Sequence, residues 1–287
     1  MMRSIREADE LEHLQELLRT HLPESLKIYG SLFSVLNGNP FGVEVLVDSW
    51  PNFGVVMTRP LTVPSAWDPF TNSYSFFMRD ASKVSAVMEH IEWTRPFEVQ
   101  TMQDSFATDL TKEASRRDVT IQTSLLRTYW QEKQDEANER NLKSQVTPEI
   151  SCLSPANAPL VDASWSFGGS TSSLRYVSLC LGSLPSSCAV DSEGNPVSWV
   201  LCDHYCAMRV LYTVPNHRRF GLGSKVALSL AKTLMMQGRP AYCHVEEENI
   251  ASQLMFKSLG LEETSSRLLW VKSIVSMETD EASRLGH

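Results

Sequence analysis

Pro215-Asn216-His217-Arg218-Arg219-Phe220-Gly221-Leu222-Gly223 joins an apolar, β-branched run, Met208 to Val214, to a stretch where Val226, Ala227, Leu230, Ala231 and Leu234 recur at helical spacing. Pro215 ends the first run, and Gly238 and Pro240 end the second. The pattern predicts a strand, a basic glycine-spaced turn and a helix. At such a junction an anion can approach main-chain N–H groups without meeting a Cβ. A plain solvated turn would share the glycine spacing, so the surroundings have to decide.

They carry a charge bias. From His204 to Val245 there is no Asp or Glu, whereas Arg209, Arg218, Arg219, Lys225, Lys232 and Arg239 all fall there. The whole chain holds 34 acids in 287 residues and has a net charge of -8, so a window of this length should contain about five acids on composition alone. A local cationic patch on an acidic chain points to a locally held anion. The spacing is neither Gly-x-Gly-x-x-Gly nor a P-loop ending in Gly-Lys-Ser/Thr, which disfavours dinucleotides and nucleoside triphosphates. Nucleic acid is disfavoured by the isoelectric point near 5.4. Coenzyme A is the anion that remains.

Arg218-x-x-Gly221-x-Gly223 resembles the acyl-CoA-binding motif of the GCN5-related N-acetyltransferase superfamily, whose members share a mixed α/β fold. Asn249-x-Ala251-Ser252-x-x-Met255-Phe256-Lys257-Ser258-Leu259-Gly260-Leu261 is similar to that superfamily's next helix. By its own chemistry Asn249 is a helix N-cap and Gly260 a stop, with Ile250, Leu254 and Met255 expected on one apolar face. A closer likeness spans nearly the whole chain. Pro23-Glu24-Ser25-Leu26-Lys27-Ile28-Tyr29-Gly30, Gly38-Asn39-Pro40-Phe41, Val47-Asp48-Ser49-Trp50-Pro51-Asn52-Phe53, Trp165-x-Phe167-Gly168-Gly169 and Gly194-Asn195-Pro196-Val197-Ser198-Trp199 resemble the glycine N-acyltransferase and glycine N-acyltransferase-like family.

The resemblance implies transfer of an acyl group from acyl-CoA to the amino group of glycine or another amino acid. It implies acyl-CoA as cosubstrate, no metal, and often a mitochondrial location. Glu7, Asp9, Glu10 and Glu12 make the N-terminus a poor transit peptide and no secretory signal, so a cytoplasmic location is the alternative. No apolar run is long enough to span a bilayer. Small-molecule substrates, no nucleic acid and a monomer are expected. The alternatives are an N-acetyltransferase for another amine or a protein lysine, and an acyl-CoA-binding homologue impaired in catalysis.

The fold expectation is a mixed α/β chain with an N-acetyltransferase fold in its C-terminal half and a degenerate copy of it in the N-terminal half. The polar run Gln131 to Gln145 marks the boundary between domains 1–145 and 146–287. In the first part Val43 to Val47 and Gly54 to Thr58 read as strands, and Ser4 with Glu7 reads as a capping box opening a helix with Leu11, Leu14 and Leu18. In the second part the pattern predicts a helical region around Asp162 to Leu184, a hairpin turn at Asp191 to Asn195, a strand at Ala241 to Val245 and a frayed tail after Val275. The six cysteines all lie in the second half and read as packed free thiols; Cys202, Cys206, His204 and His244 lack the paired spacing of a zinc site.

Within the expected site, the N–H groups of Phe220, Gly221, Leu222, Gly223 and Ser224 would face the pyrophosphate, with Arg218 and Arg219 adding charge. By the resemblance, Tyr212, Thr213 and Val214 would pair with the pantetheine arm, and Asn249 and Phe256 would border the cofactor. Relatives active on glycine carry a Glu before a Met-Arg pair, and the matching residues here are Ala207-Met208-Arg209. Alanine accepts no proton, and Phe256 stands where many superfamily members have a Tyr that protonates the leaving thiolate. His244 is the candidate replacement base, against the alternative of a packed strand histidine. Asp203 and His204 read as a solvated turn, Trp50, Trp165, Trp199 and Trp270 as packing residues, and Gly168-Gly169 as a loop hinge.

Overall fold

A computed structural model describes residues 2–62, 70, 72–132 and 149–274. The polar run from residue 133 onward and the tail after residue 274 lie outside the described residues.

Each half repeats one succession of elements. The first runs β1 (Arg3–Ile5), α1 (Ala8–Arg19), α2 (Leu26–Leu36), β2 (Val43–Val47), β3 (Val55–Pro60), β4 (Ser73–Met78), α3 (Val84–Met88), β5 (Glu98–Thr101), α4 (Ala107–Arg116) and β6 (Thr120–Gln131). The second runs β7 (Glu149–Ser151), α5 (Ala158–Ser164), α6 (Thr171–Ser183), β8 (Ser186–Val190), β9 (Pro196–Cys202), β10 (Met208–Thr213), α7 (Leu222–Met236), β11 (Ala241–Val245), α8 (Ile250–Ser258), β12 (Glu262–Glu263) and β13 (Leu268–Ile274). The expected duplication of one fold is visible in this order.

Local chemistry accounts for most of it. Leu11, Leu14 and Leu18 recur at helical spacing and are buried as one stripe of α1. β2, β3 and β4 are nearly continuous apolar runs because both faces of their sheet are covered. Asp191 closes the β8–β9 hairpin by taking the N–H groups of Glu193 and Asn195 on its carboxylate.

The halves exchange their final strands. The larger sheet runs β1-β2-β3-β4-β5-β13-β6-β11, with β12 also on β6, and the smaller runs β10-β9-β8-β7. β13 inserts between β5 and β6, and Leu269 and Val271 complete the first half's core. β6 in turn pairs with β11 of the second half. Sequence periodicity cannot show this, because an exchanged strand has the same alternation as one that stays home.

Five expectations change. Ser4 lies in β1, paired with β2, and α1 starts after Glu7 without a side-chain cap, so there is no capping box. The helical region is two helices broken at Trp165 to Ser170, where Ser170 accepts from Ser173 N and restarts the turn. In α8 the buried residues are Gln253 and Phe256, while Ile250 and Leu254 are exposed. Gly168 is no free hinge, since a Cβ there would lie 1.9 Å from the Asp162 carbonyl oxygen. Of the cysteines, Cys152 is exposed; the other five are buried, and all are free.

Candidate active site

The sheet opens where the sequence points. β4 and β5 of the first half pair in parallel, Ser73 with Glu98 and Ser75 with Gln100. Their counterparts β10 and β11 fall in different sheets and leave a cleft of about 350 Å³ between them. β10 reaches the cleft through a bulge, with Arg209 opposite Leu201 but Tyr212 opposite Trp199. Val210 takes φ 54° there. A β-branched residue in the left-handed region is strained, and the extra residue leaves main chain unpaired with β9.

At one end of the cleft stands the basic turn. Gly221 is the N-cap of α7 at φ 73°, and no side chain caps the helix. The first turn has no acid, and the first intrahelical bond runs from Lys225 N to Gly221 O. The N–H groups of Leu222, Gly223 and Ser224 thus have no intrahelical acceptor. Arg218 folds back, donating from Nε to Thr213 O at 2.9 Å with its guanidinium 5.6 Å from the Tyr212 ring. Arg219, at φ 69°, and Phe220 are exposed.

The strand-end groups are already engaged in part. The Tyr212 carbonyl accepts from Ser198 Oγ at 3.1 Å, Thr213 Oγ1 lies 2.8 Å from Ser198 Oγ, and Val214 N donates to Val197 O. On the far wall, Asn249 Oδ1 accepts from Ser252 N at the start of α8. Asn249, buried Phe256 and His244 all line the cleft. His244 Nδ1 lies 2.9 Å from Thr128 Oγ1, and its buried Nε2 has no partner among the described residues. Burial holds its pKa well below the ordinary value, with the charges of Lys27 and Arg209 adding to the effect. The ring is therefore neutral at neutral pH and a weak base.

Asp203 and His204 are buried, not solvated. Asp203 Oδ1 accepts from the N–H groups of Tyr205 and Ala207, and Oδ2 lies 3.8 Å from Arg209 Nη1. His204 Nδ1 lies 2.7 Å from the Tyr176 hydroxyl, and burial pulls its pKa down to about 4. Ala207 is 2 % exposed and lines the cleft beside these groups.

Several cleft residues were not among the expected site residues. Arg209 sits with its guanidinium 5.2 Å from the Trp165 ring and 5.1 Å from the Trp270 ring. Trp270, from exchanged β13, donates to Glu98 Oε2 at 2.5 Å. Lys27, from α2 of the first half, enters the wall of the cleft. A signal for it existed: α2 reads Leu-Lys-Ile-Tyr-Gly-Ser-Leu-Phe-Ser-Val-Leu, apolar nearly all round, so its single charge had to be buried.

Among the described residues no group of three His, Cys, Asp or Glu could hold a metal ion, and no helix is long and apolar enough to cross a membrane.

Comparison with known proteins agrees with this fold. A Drosophila protein of known structure superposes with a TM-score of 0.75 at 18% identity, covering 95% of this chain and 98% of that one. A tandem N-acetyltransferase-fold protein from the clavulanic acid biosynthesis pathway gives 0.52 at 11% identity over 95% and 98%. These show the fold, a tandem arrangement included. Mouse glycine N-acyltransferase is 32% identical over 272 residues, covering 88% of this chain and 92% of its own length. Human glycine N-acyltransferase is 31% identical over 279 residues, covering 90% and 94%. Family models described as aralkyl acyl-CoA:amino acid N-acyltransferase and its C-terminal region match residues 2–185 and 187–271, and the chain belongs to that family.

Proposed function

We propose that this protein transfers an acyl group from acyl-CoA to the amino group of glycine or another amino acid, releasing free CoA. The observation that carries the reading is the open seam between β10 and β11, closed at one end by the uncapped start of α7.

The pyrophosphate would meet the N–H groups of Leu222, Gly223 and Ser224, where the helix dipole favours negative charge. The pantetheine arm would run along β10, whose bulge at Val210 leaves main chain free of β9. The thioester would then lie over Ala207 to Leu211, which line the cleft together with His244 and Phe256. Attack by a neutral amine forms the C–N bond and breaks the C–S bond. The amine loses one proton and the thiolate gains one, so the step balances without a further reagent. Ala207 and Phe256 supply neither an acceptor nor a donor for those protons. His244 lines the same cleft and would be the acceptor, a weak one given its low pKa.

The assay is free-thiol release from benzoyl-CoA and fatty acyl-CoA with a panel of amino acids. Release that depends on the amino acid supports the reading. CoA binding without release from any pair would leave an acyl-CoA-binding homologue in its place. Introducing Ala207→Glu is expected to raise the rate if proton removal is limiting; an unchanged rate would mean that proton removal occurs elsewhere or is not limiting.

A further inference from the structure

Lys27 is 2 % exposed, yet it lines the cleft of the other half. Its Nζ lies 4.7 Å from the Tyr205 ring centroid and 5.9 Å from that of Tyr242. The two carboxylates that act on it are committed elsewhere. Asp203 takes the N–H groups of Tyr205 and Ala207 and faces Arg209; Glu98 takes Trp270 Nε1 and Gln100 Nε2. Among the described residues the ammonium therefore has aromatic faces around it and no ion-pair partner. A buried charge without a partner is costly, and proteins keep such groups where a ligand completes them.

Its position is also enforced. One turn after Lys27, Gly30 presses α2 against the second half so closely that a Cβ would sit 1.9 Å from Tyr205 O. The Tyr242 hydroxyl donates to that same carbonyl. The lysine is thus held against the wall where the thioester would lie, beside Ala207 and His244.

We propose that Lys27 is the anchor for the carboxylate of the amino-acid acceptor, delivered by the first half into the cleft of the second. The inference rests on the acyltransferase reading above and deepens it. An α-amino acid places its carboxylate two bonds from its nitrogen, so an anchored carboxylate fixes where the attacking nitrogen lies. It also makes a free amino acid, and not a simple amine or a protein lysine, the acceptor class. Burial, opposed by Asp203 and Glu98 and reinforced by Arg209, lowers the Lys27 pKa from 10.5 to about 8. Below pH 8 the folded state carries the full penalty of the buried ammonium, so the lysine is retained against stability.

The test uses the full-length protein and its Lys27→Met and Lys27→Arg variants. Calorimetric titration of the CoA-loaded protein with N-benzoylglycine and with N-benzoylglycinamide reads the carboxylate without any turnover. The expected result is that the wild type prefers the acid by about tenfold or more, as a charge-assisted hydrogen bond provides. Lys27→Met should lose that preference with CoA affinity unchanged, and Lys27→Arg should keep part of it. In turnover, Lys27→Met should raise the KM for the amino acid more than it lowers kcat. Its melting temperature at pH 7 should rise, because the unpaired charge is gone. A wild type that does not distinguish acid from amide overturns the proposal without needing any variant. A Lys27→Met protein that keeps the preference but loses kcat would make Lys27 a proton acceptor instead, and also overturns it. Failure to bind CoA at all would count against the acyltransferase reading, and is separately visible.

Discussion

The two halves have one succession of elements, and only the second has a cleft. In the first half β4 and β5 are hydrogen-bonded in register, so no arm could thread between them. Its β4 leads into a short turn where the Asp80 carboxylate accepts from Ser82 N, and the helix that follows spans five residues. In the second half the equivalent strands part, the turn is free of acids, and a 15-residue helix begins at Leu222, after Gly221, without a side-chain cap. A carboxylate at a helix start occupies the place an anionic ligand would take. The first half instead supplies Lys27, Gln100 and Leu126 to a cleft that is not its own. The order of elements occurs twice, and the open seam with an uncapped helix start occurs once.

The contact between the halves is the first place to break this arrangement. Gly30→Ala should destabilise by about 3 kcal/mol, since its Cβ would meet the Tyr205 carbonyl at 1.9 Å and one of the two halves must move. Thermal unfolding measures it, and a melting temperature within a degree of wild type would show that α2 is not pressed on the second half as described.

The cradle itself should respond differently. At Gly223 a Cβ would meet Thr213 Oγ1 at 3.6 Å and Met255 Sδ at 3.9 Å, ordinary contact distances. Gly223→Ala should therefore leave melting nearly unchanged, while an approaching pyrophosphate loses room and CoA affinity falls by about tenfold, roughly 1.4 kcal/mol. Asp80→Ala, at the corresponding turn of the first half, should leave CoA binding as it was. Equal effects of the two substitutions on CoA binding would refute the asymmetry.

Acidification gives the smallest signal at physiological pH and the broadest test. The folded-state pKa of His204 is pulled by burial from 6.5 to about 4. Between those values the unfolded chain binds more protons, so this contribution is present above pH 6.5 and is lost as pH falls toward 4, by ~3 kcal/mol in all. His244 shifts in the same direction. Melting temperature should fall between pH 7 and pH 5, and His204→Gln should flatten that slope. An unchanged slope in the variant would assign the acid sensitivity to other groups.

Much of this was legible in the residues. The β10-turn-α7 unit, the strand Ala241–Val245 and the Asn249 cap follow from short-range chemistry: β-branched runs, Pro and Gly punctuation, and a side chain reaching its own helix start. Departures came where distant residues set the environment. Asp203 and His204 resemble a polar turn locally, but α2, α6 and β11 close over that region and bury it. Ile250 and Leu254 look like one apolar face, but the face α8 turns inward is that of Gln253 and Phe256.

By itself the sequence determined the family, the α/β class and the glycine-spaced basic turn, because each is written in contiguous residues with local physical causes; the repeated order of elements became visible only in the structure. Only the tertiary structure decided that β13 and β6 change places between halves, that β10 and β11 part while β4 and β5 join, and that Lys27 crosses into the other half's cleft. Those depend on which surfaces meet across long stretches of chain, and hydrophobic alternation is the same whichever partner a strand finds.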